Sequence, residues 1–509
     1  MIVAEDWGWR HAGRTGWAVH GASFTIEDGE KVLLLGASGA GKSTLVHAMA
    51  GVLGGAEEGE ESGRLLVDGR HPTRGRGQVG LVMQDPDTQV VLARVGDDVA
   101  FGCENMGLPR DQIWPRVRAC LDAVGLDVQL DRPTSALSGG QKQRLVIAGA
   151  LAMQANTLLL DEPTANLDPE GAREVRDVVA GLCRERGTTL VVVEHRVELW
   201  AELVDRVLVL APGGGVLADG PPARVFTEQR DALLAAGVWV PGAALPPGLG
   251  GTPARTEGAP SATGREPVLH TEQLSIGHTP QHVVQQDLDL AIARGRSTVV
   301  TGANGAGKST LALTLAGLLP KLGGRVVAVQ QLWPSPTITR GRLRRRQLDP
   351  ADPANWASRD LVTRIGTVFQ QPEHQFVAAS VREELAAGLV ALARVDQSWT
   401  PARIDEQVER LLEMLHLQRI ATANPFTLSG GEKRRLSVGT VLATGPELIF
   451  LDEPTFGQDR NTWLDMVSLV RQMVDEGRSV VSITHDGDFV DALGQDHLHL
   501  EPIGTEADR

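Results

Sequence analysis

The sequence predicts an α/β protein built from two copies of one domain, each with a mostly parallel core sheet. The first observation is a repeat, because the glycine-rich residues 36–44 recur almost unchanged at 302–310, and later motifs recur in the same order. The second is periodicity. Short aliphatic and β-branched runs at 32–35, 157–160 and 189–193 alternate with longer helical patterns, as in sheets covered by helices.

Composition limits the class of protein. The 509 residues include 49 Lys and Arg against 64 Asp and Glu, so the net charge is −15 and general binding of polyanions is disfavoured. Apolar residues make up 42% and charged residues 22%, as in soluble globular proteins. No apolar run approaches the roughly 18 residues of a membrane span, and no secretory signal is visible. Three scattered cysteines fit a reducing compartment, so a cytoplasmic location is expected.

The repeat also predicts the domain boundaries. We expect a first domain at residues 1–240, a Pro/Gly-rich linker at 241–266 and a second domain at 267–509. The second copy is longer, mostly because of an insertion within residues 321–360. That insertion carries a cluster of arginines, namely Arg340, Arg342, Arg344, Arg345 and Arg346.

Residues 36–43 and 302–309 fit the pattern Gly-x-x-x-x-Gly-Lys-Ser, which is a phosphate-binding loop between a strand and a helix. Glycines let the backbone N–H groups face the phosphates at the positive end of the helix. The lysines are expected to reach the β- and γ-phosphates, and Ser43 and Ser309 to bind Mg²⁺. The residues expected to contact nucleotide are Gly36, Ser38, Gly39, Ala40, Gly41, Lys42, Ser43, Thr44, Gly302, Asn304, Gly305, Ala306, Gly307, Lys308, Ser309 and Thr310.

Two carboxylates follow a buried strand in each half. Residues 157–162 and 448–453 each consist of four apolar or β-branched residues followed by Asp-Glu. The aspartates, Asp161 and Asp452, suit Mg²⁺ directly or through water. The glutamates, Glu162 and Glu453, are then expected to face the γ-phosphate and polarise the attacking water.

A third motif, Leu-Ser-Gly-Gly-Gln at 137–141, returns as Leu-Ser-Gly-Gly-Glu at 428–432, before Asp-Glu-Pro-Thr in both halves. This order resembles the ATP-binding-cassette (ABC) ATPases, and the resemblance covers nearly the whole chain twice, apart from the linker. It implies α/β tandem P-loop NTPase domains, each with a mostly parallel core sheet, an antiparallel β part and a helical signature subdomain, that use ATP and Mg²⁺. It also implies that the signature serine and glycines bind the γ-phosphate of ATP held by the opposing cassette. These signature residues are Ser138, Gly139, Gly140, Gln141, Ser429, Gly430, Gly431 and Glu432.

The resemblance further implies that the two halves pair head to tail within one chain. One ATP site then combines the first phosphate loop, Asp161, Glu162 and His195 with the second signature, and the other site is its reciprocal. His195 and His485, each at the end of a β-branched run, are implied to contact the γ-phosphate. Gln84 and Gln370 fit the family's glutamine loop, which senses Mg²⁺ and water and faces the membrane partner.

Some positions depart from the family pattern. Residues 456–459 read Phe-Gly-Gln-Asp where the first half reads Ala-Asn-Leu-Asp, and Glu432 replaces glutamine. No catalytic group is removed, so two competent sites with unequal rates are expected. The family often stacks adenine on a tyrosine, which this chain lacks; Trp9 (or Trp7) is the candidate in the first half and His278 in the second.

The segments after the two glutamines narrow the family assignment. Residues 84–108 and 370–385 resemble the energy-coupling-factor (ECF) branch, whose ATPases drive a membrane T component and a substrate-binding S component in the import of vitamins, cobalt or nickel. That resemblance implies a peripheral location on the inner face of the cell membrane. Carboxylates of the right sign for basic helices of the T component are Asp85, Asp87, Asp97, Asp98, Glu373, Glu383 and Glu384.

Two alternatives remain open at this stage. Ribosome-associated translation factors also carry two cassettes per chain, but they join them by a long charged linker, whereas residues 241–266 are short and not basic. The arginine cluster is the one feature that favours nucleic acid, and a solvated face or a lipid-headgroup contact explains it better. The other alternative is a fused ATPase of a sugar or peptide importer. No nucleic-acid partner is expected.

Overall fold

The computed structural model describes residues 1–55, 57–75, 79–165, 167–246, 249, 266–334 and 349–502. The chain divides into two compact units, one formed by Met1–Ala243 with Gly457–Asn461 and the other by Ala244–Phe456 with Thr462–Arg509. Most of the predicted linker and all of residues 340–346 lie outside the described residues. The domain boundaries 1–240, 241–266 and 267–509 therefore stay a prediction.

The first unit contains nine strands and eight α-helices among its described residues. Its strands are β1 (Ile2–His11), β2 (Val19–Ile26), β3 (Lys31–Leu35), β4 (Gly59–Val67), β5 (Val79–Val82), β6 (Thr157–Asp161), β7 (Thr189–Val193), β8 (Arg206–Leu210) and β9 (Val216–Gly220). Its helices are α1 (Lys42–Met49), α2 (Val95–Asn105), α3 (Arg110–Ala123), α4 (Gly139–Ala152), α5 (Pro169–Arg186), α6 (Val197–Trp200), α7 (Pro222–Glu228) and α8 (Arg230–Ala235).

The core sheet of the first unit has the order β5-β6-β7-β3-β8-β9 and is parallel except for β9. Its central strands are buried along their whole length, which explains their continuous aliphatic sequences. A separate antiparallel sheet has the order β2-β1-β4. Helices α2, α3 and α4 pack on one another as a helical subdomain, joined to the core by α4.

The second unit repeats this plan. Its strands are β10 (Pro267–Thr279), β11 (His282–Leu288), β12 (Ala291–Ala293), β13 (Ser297–Gly302), β14 (Gly323–Ala328), β15 (Ile365–Val368), β16 (Leu448–Asp452), β17 (Ser479–Ile483) and β18 (Asp496–Leu500). Its helices are α9 (Lys308–Leu315), α10 (Ser358–Leu361), α11 (Val381–Ala393), α12 (Pro401–Met414), α13 (Gly430–Thr444), α14 (Arg460–Asp475) and α15 (Gly487–Leu493).

In the second unit the parallel sheet has the order β15-β16-β17-β13-β18, and β10 pairs antiparallel with β11, β12 and β14. The predicted fold class is thus confirmed in both halves. The order matters for function, because the strands that carry the motifs lie side by side in a parallel sheet and end at one edge. Within the described residues, no helix is both long and apolar enough to cross a membrane.

Candidate nucleotide-binding and catalytic sites

Each phosphate loop follows an interior strand of its parallel sheet and runs into the first turn of a helix. Gly41 and Gly307 precede α1 and α9 with φ of 89° and 88°, a left-handed conformation that residues with a side chain rarely adopt. A Cβ on Gly41 would lie 2.3 Å from the carbonyl oxygen of Ala18, which leaves no room for one. The glycines are therefore required by local geometry, independently of any ligand.

The two loop lysines fold back over their own loops. Lys42 Nζ donates hydrogen bonds to Gly36 O at 2.8 Å and to Ala37 O at 3.0 Å, and Lys308 does the same at equivalent carbonyls. Burial lowers the pKa of Lys42, although the Glu162 and Asp161 carboxylates oppose that effect. A buried ammonium at the mouth of a loop of backbone N–H groups makes this a site for anions.

The predicted magnesium ligands meet in each unit. Asp161 and Asp452 end β6 and β16, and they accept hydrogen bonds from Ser43 and Ser309, respectively. Burial raises the pKa of both aspartates, and these hydrogen bonds oppose the rise. Asp161 Oδ1 is buried without a hydrogen-bond partner. A buried carboxylate oxygen of this kind, beside a hydroxyl, fits a hard divalent cation such as Mg²⁺.

The glutamate after Asp161 contacts the other predicted catalytic groups of the first half. Glu162 has φ of 50°, and its backbone N–H donates to Val193 O on β7, which turns the side chain off the strand axis. His195 Nε2 lies 3.3 Å from Glu162 Oε1. Gln84 Nε2 donates to Glu162 Oε2 at 2.8 Å. Three residues far apart in the sequence thus converge where parallel strands end.

The second half repeats the arrangement more loosely. Glu453 has φ of 48°, and His485 Nε2 lies 3.7 Å from Glu453 Oε1. Gln370 lines a cavity of about 230 Å³ together with Ser309 and Asp452. Glu453 is 8% exposed, so its carboxylate is largely shielded from water.

The burial of Glu453 predicts a pH-dependent stability. Burial first, and then the Asp452 carboxylate, raises the pKa of Glu453 to about 7 from its usual value of 4.5. The protonated native form therefore contributes stability that is fully present below pH 4.5 and is lost as the pH rises through about 7. In nucleotide-free protein we expect Glu453→Gln, which cannot ionise, to match the parent at low pH. At pH near 8 it should exceed the parent by up to about 3 kcal/mol in free energy of unfolding.

Denaturant titrations at several pH values between these limits measure that difference directly. The expected curve of variant minus parent rises with pH and bends near pH 7. A difference that stays constant across the range would show that Glu453 is not protonated in the native protein at neutral pH. Glu202→Gln, an exposed glutamate of the other unit, is the control and should give no slope.

The signature motifs start helices in both halves. Ser138 and Ser429 are the N-caps of α4 and α13, each in a reciprocal capping box with the residue three positions later. The box explains the departure at Glu432, since glutamate serves as well as Gln141 in accepting the serine's backbone N–H. Ser429 Oγ also donates to Glu432 Oε2 at 2.7 Å, so the second signature places a carboxylate beside its serine. The expected pairing of each signature with the opposite phosphate loop stays a prediction.

The structure argues against Trp9 as the adenine-stacking residue. Trp9 is 2% exposed and Trp7 fully buried, so neither indole offers an open ring face. His11 is the aromatic residue beside the phosphate loop, with Nε2 3.1 Å from Thr44 Oγ1. His278 lies at the end of β10, as His11 does at the end of β1, and is exposed. His11 lies 31 residues before Lys42 and His278 lies 30 residues before Lys308, and this similar spacing is a sequence signal for His11.

Most of the carboxylates predicted to face a basic partner are used inside their own domain. Asp98 Oδ1 accepts the backbone N–H groups of Val91 and Leu92, both at 2.8 Å. Glu384 is 3% exposed and makes the same contact with residues 377 and 378. Each of these two carboxylates accepts two backbone N–H groups, Asp98 partly buried and Glu384 buried, so they hold the loop rather than face a partner. Asp97 and Glu383 stay exposed.

Comparison with known proteins agrees with this geometry. The family described as ABC transporter matches residues 19–165 and 285–456, which is more than half of the chain. The chain belongs to the ABC transporter family. Each match spans one phosphate loop, one signature and one Asp-Glu pair, so the chain carries two ABC cassettes.

Related ABC proteins align with both halves together. A Bacillus subtilis protein, provisionally named as an HMP/thiamine import ATP-binding protein, is 33% identical over 506 residues, 96% of this chain and 87% of its own length. A Methanosarcina acetivorans protein, provisionally named as an ABC transporter ATP-binding protein, is 33% identical over 92% of this chain and 79% of its own. The solved structure of RNase-L Inhibitor has a TM-score of 0.60 at 19% identity, covering 98% of this chain and 91% of its own, and shows a shared fold.

Family membership establishes the general activity. The chain is a tandem ABC ATP-binding protein and an ATPase, as the motifs predicted. The nucleotide is bound and hydrolysed by cassettes of this kind, while the particular partner and transported substrate are matters for proposal.

Proposed function

We propose that the chain is the ATPase subunit of an ECF-type importer, which energises uptake of a vitamin, a vitamin precursor or a transition-metal ion through separate membrane subunits. The observation that carries the proposal is the pair of complete motif sets, each of which contains an ECF-like segment directly after its glutamine. The relative named for import of HMP and thiamine, aligned over both halves, supports it. Domains 1–240 and 267–509 are the two cassettes, joined by the linker 241–266.

In this proposal ATP binds each phosphate loop, and Lys42 and Lys308 turn from their backbone carbonyls to the β- and γ-phosphates. Glu162 and Glu453 accept a hydrogen bond from the attacking water and orient it toward the γ-phosphate. His195 and His485 lie against these glutamates and contact the same phosphate. The signature of the opposing half completes each site through Ser429 or Ser138.

Mg²⁺ fits the residues present in both halves. Ser43 with Asp161, and Ser309 with Asp452, would hold it. Gln84, which is bonded to Glu162, and Gln370, which lines the cavity with Ser309 and Asp452, would contribute beside them. When bound, the ion neutralises charge on the β- and γ-phosphates. The buried, unpartnered Asp161 Oδ1 is the observation that supports this assignment.

The partners are a T component, which the two cassettes contact from the inner face of the cell membrane, and an S component that selects the substrate. Exposed apolar side chains support a docking surface after each glutamine, since Val91 is 61% exposed and Val377 is 80% exposed. Both lie beside the backbone groups that Asp98 and Glu384 hold. Because hydrogen bonds already hold the loop in place, little conformational entropy is lost when a partner covers the valine.

Purification of the tagged chain from detergent-solubilised membranes tests the proposal. A small polytopic membrane protein should be recovered in fixed ratio to the chain, and co-expression of that protein should change the rate of ATP hydrolysis. Asp substituted for Val91 and Val377 together should abolish recovery, while Asp at Val52, which is 56% exposed elsewhere, should not. Recovery of ribosomes in place of a membrane protein, sensitive to charge reversal at Arg344, Arg345 and Arg346, would contradict the proposal.

A further inference from the structure

Two lysines outside the phosphate loops occupy equivalent positions in the two halves. The chain has only six lysines, Lys31, Lys42, Lys142, Lys308, Lys321 and Lys433. Lys142 and Lys433 each directly follow the last residue of a signature motif, in the first turn of α4 or α13. The positive end of the helix dipole repels a cation at this position, so neither lysine is explained by a contribution to helix stability.

Both lysines form an ion pair with the segment that follows the glutamine of the same half. Lys142 Nζ lies 2.5 Å from Asp87 Oδ1, and Lys433 Nζ lies 2.9 Å from Glu373 Oε1. Each lysine side chain is only 18% exposed, whereas the carboxylates are 65% and 41% exposed. The acid differs between the halves, yet the link between the same two elements is kept.

The segment that receives this link is clamped elsewhere as well. Gln89 Oε1 accepts the Met83 N–H at 2.6 Å, next to Gln84, and Asp98 holds its far end. In the second half Gln375 Oε1 accepts the Phe369 N–H at 2.9 Å, and Glu384 holds its far end. Residues 84–92 and 370–378, here called the post-glutamine segments, are therefore tied to the domain at both ends and to the signature helix in the middle.

We propose that the Lys142–Asp87 and Lys433–Glu373 pairs transmit a nucleotide-dependent movement of the signature helix to the post-glutamine segment of the same half. The lysines act as positioning residues, because each is bound to a carboxylate of the post-glutamine segment. The inference rests on the proposed function in one respect, that each signature completes the ATP site of the opposing half, and it adds that ATP binding there moves the signature helix. It goes beyond it by assigning the physical link between the ATP site and the surface offered to a partner.

A purely stabilising role explains the pairs less well. Exposed ion pairs are screened by water and contribute little to stability. Burial by itself raises the pKa of Glu373, but the hydrogen bond and charge of Lys433 outweigh it, and the net pKa is lowered. The carboxylate therefore stays ionised and attached to Lys433 at neutral pH. An ion pair of this kind keeps the signature helix and the post-glutamine segment at a constant distance, so that one moves with the other.

The two halves differ in how much the link between signature helix and post-glutamine segment depends on the lysine. In the second half Arg434, which is 4% exposed, adds hydrogen bonds from α13 to Gln370 O at 2.7 Å and Phe369 O at 2.9 Å. Gln143 stands at that position in the first half, and its Nε2 is buried with no hydrogen-bond partner. The first half thus lacks this second link, so Lys142 should carry more of the coupling than Lys433.

Hydrogen–deuterium exchange of the full-length chain, followed by mass spectrometry with and without ATP, tests the proposal. The background is Glu162→Gln with Glu453→Gln, which holds ATP unhydrolysed. ATP should change exchange in both post-glutamine segments as well as in the phosphate loops. Adding Lys142→Met should abolish the ATP-dependent change in exchange at residues 84–92. The ATP-dependent changes at 36–44 and 370–378 should remain. Adding Lys433→Met instead should reduce the change at 370–378 only in part. Restoration by the charge swap Lys142→Asp with Asp87→Lys would show that the pair itself is responsible.

Lys31→Met is the matched control, because it breaks an ion pair of 2.8 Å with Asp205 that joins other elements. It should leave every ATP response unchanged. An undiminished response at 84–92 in Lys142→Met, or no ATP response there in the background chain, would overturn the inference. The measurement needs no membrane partner, so its failure is distinguishable from failure of the importer assignment, which depends on what co-purifies.

Discussion

Replacing Glu162 and Glu453 together by glutamine should reduce steady-state ATP hydrolysis by about 10² to 10⁴ fold, the range that a positioned general base contributes. The two glutamates are 14% and 11% exposed at the side chain, and each lies within 4 Å of a histidine. Glutamine keeps the shape and removes the proton acceptor. Phosphate release from the purified chain, or from its complex with the membrane partner, gives the rate.

The single substitutions and a binding assay separate chemistry from folding. Each single variant should retain part of the activity, because the other half keeps its own glutamate, and the remainder reports the inequality of the two sites. A fluorescent ATP analogue should bind the double variant as tightly as the parent, since the phosphate loops are untouched. Glu202→Gln is the control. Full activity in the double variant would disprove the assigned role.

Gly41→Ala should abolish ATP binding at the first phosphate loop, whereas Gly39→Ala should weaken it by about tenfold or less. Both glycines have positive φ, 89° and 79°, so both substitutions introduce the left-handed strain of about 1–2 kcal/mol. They differ in the space around the new Cβ. At Gly41 it would meet the Ala18 carbonyl oxygen at 2.3 Å and Val19 Cγ2 at 2.4 Å, and at Gly39 it meets nothing within 4 Å.

The clash at Gly41 involves backbone at the start of β2, which moves only if the antiparallel sheet shifts. Titration of a fluorescent ATP analogue against a chain carrying Lys308→Ala reads the first loop alone, and circular dichroism shows whether the fold is kept. Gly307→Ala offers an intermediate case, because its Cβ would meet the Val284 side chain at 2.9 Å rather than a backbone atom. Equal losses for Gly41→Ala and Gly39→Ala would show that backbone strain alone decides the result.

Much of the fold follows from local sequence. The strand prediction at residues 189–193 matches β7, and that at 157–160 misses only Asp161 of β6. These strands are buried on both faces, so an unbroken aliphatic run is the pattern they require. Whether a side chain is buried by residues distant in the sequence is harder to predict. Trp9 has the residue type and the position expected of a stacking residue, but packing in the antiparallel sheet encloses it and leaves His11 beside Thr44.

The carboxylates after the glutamines show the same limit. Their sign and spacing predicted a surface for a basic partner, but sequence does not reveal that Asp98 and Glu384 receive backbone N–H groups six or seven residues earlier. Nor does it reveal that Lys142 meets Asp87 across 55 residues. These contacts depend on how helices pack against a loop, which has no period in the sequence.

The sequence by itself determined that two ABC cassettes occur in one chain, and which loop, strand-end and signature residues each contains, because glycine conformation and phosphate chemistry demand particular residues at fixed spacing. Only the tertiary structure decided which groups are buried, which carboxylates are already paired, and that Glu453 lies in surroundings that hold its proton to about pH 7. Burial and pairing arise from segments remote in the chain that the parallel sheets and helical subdomains bring together.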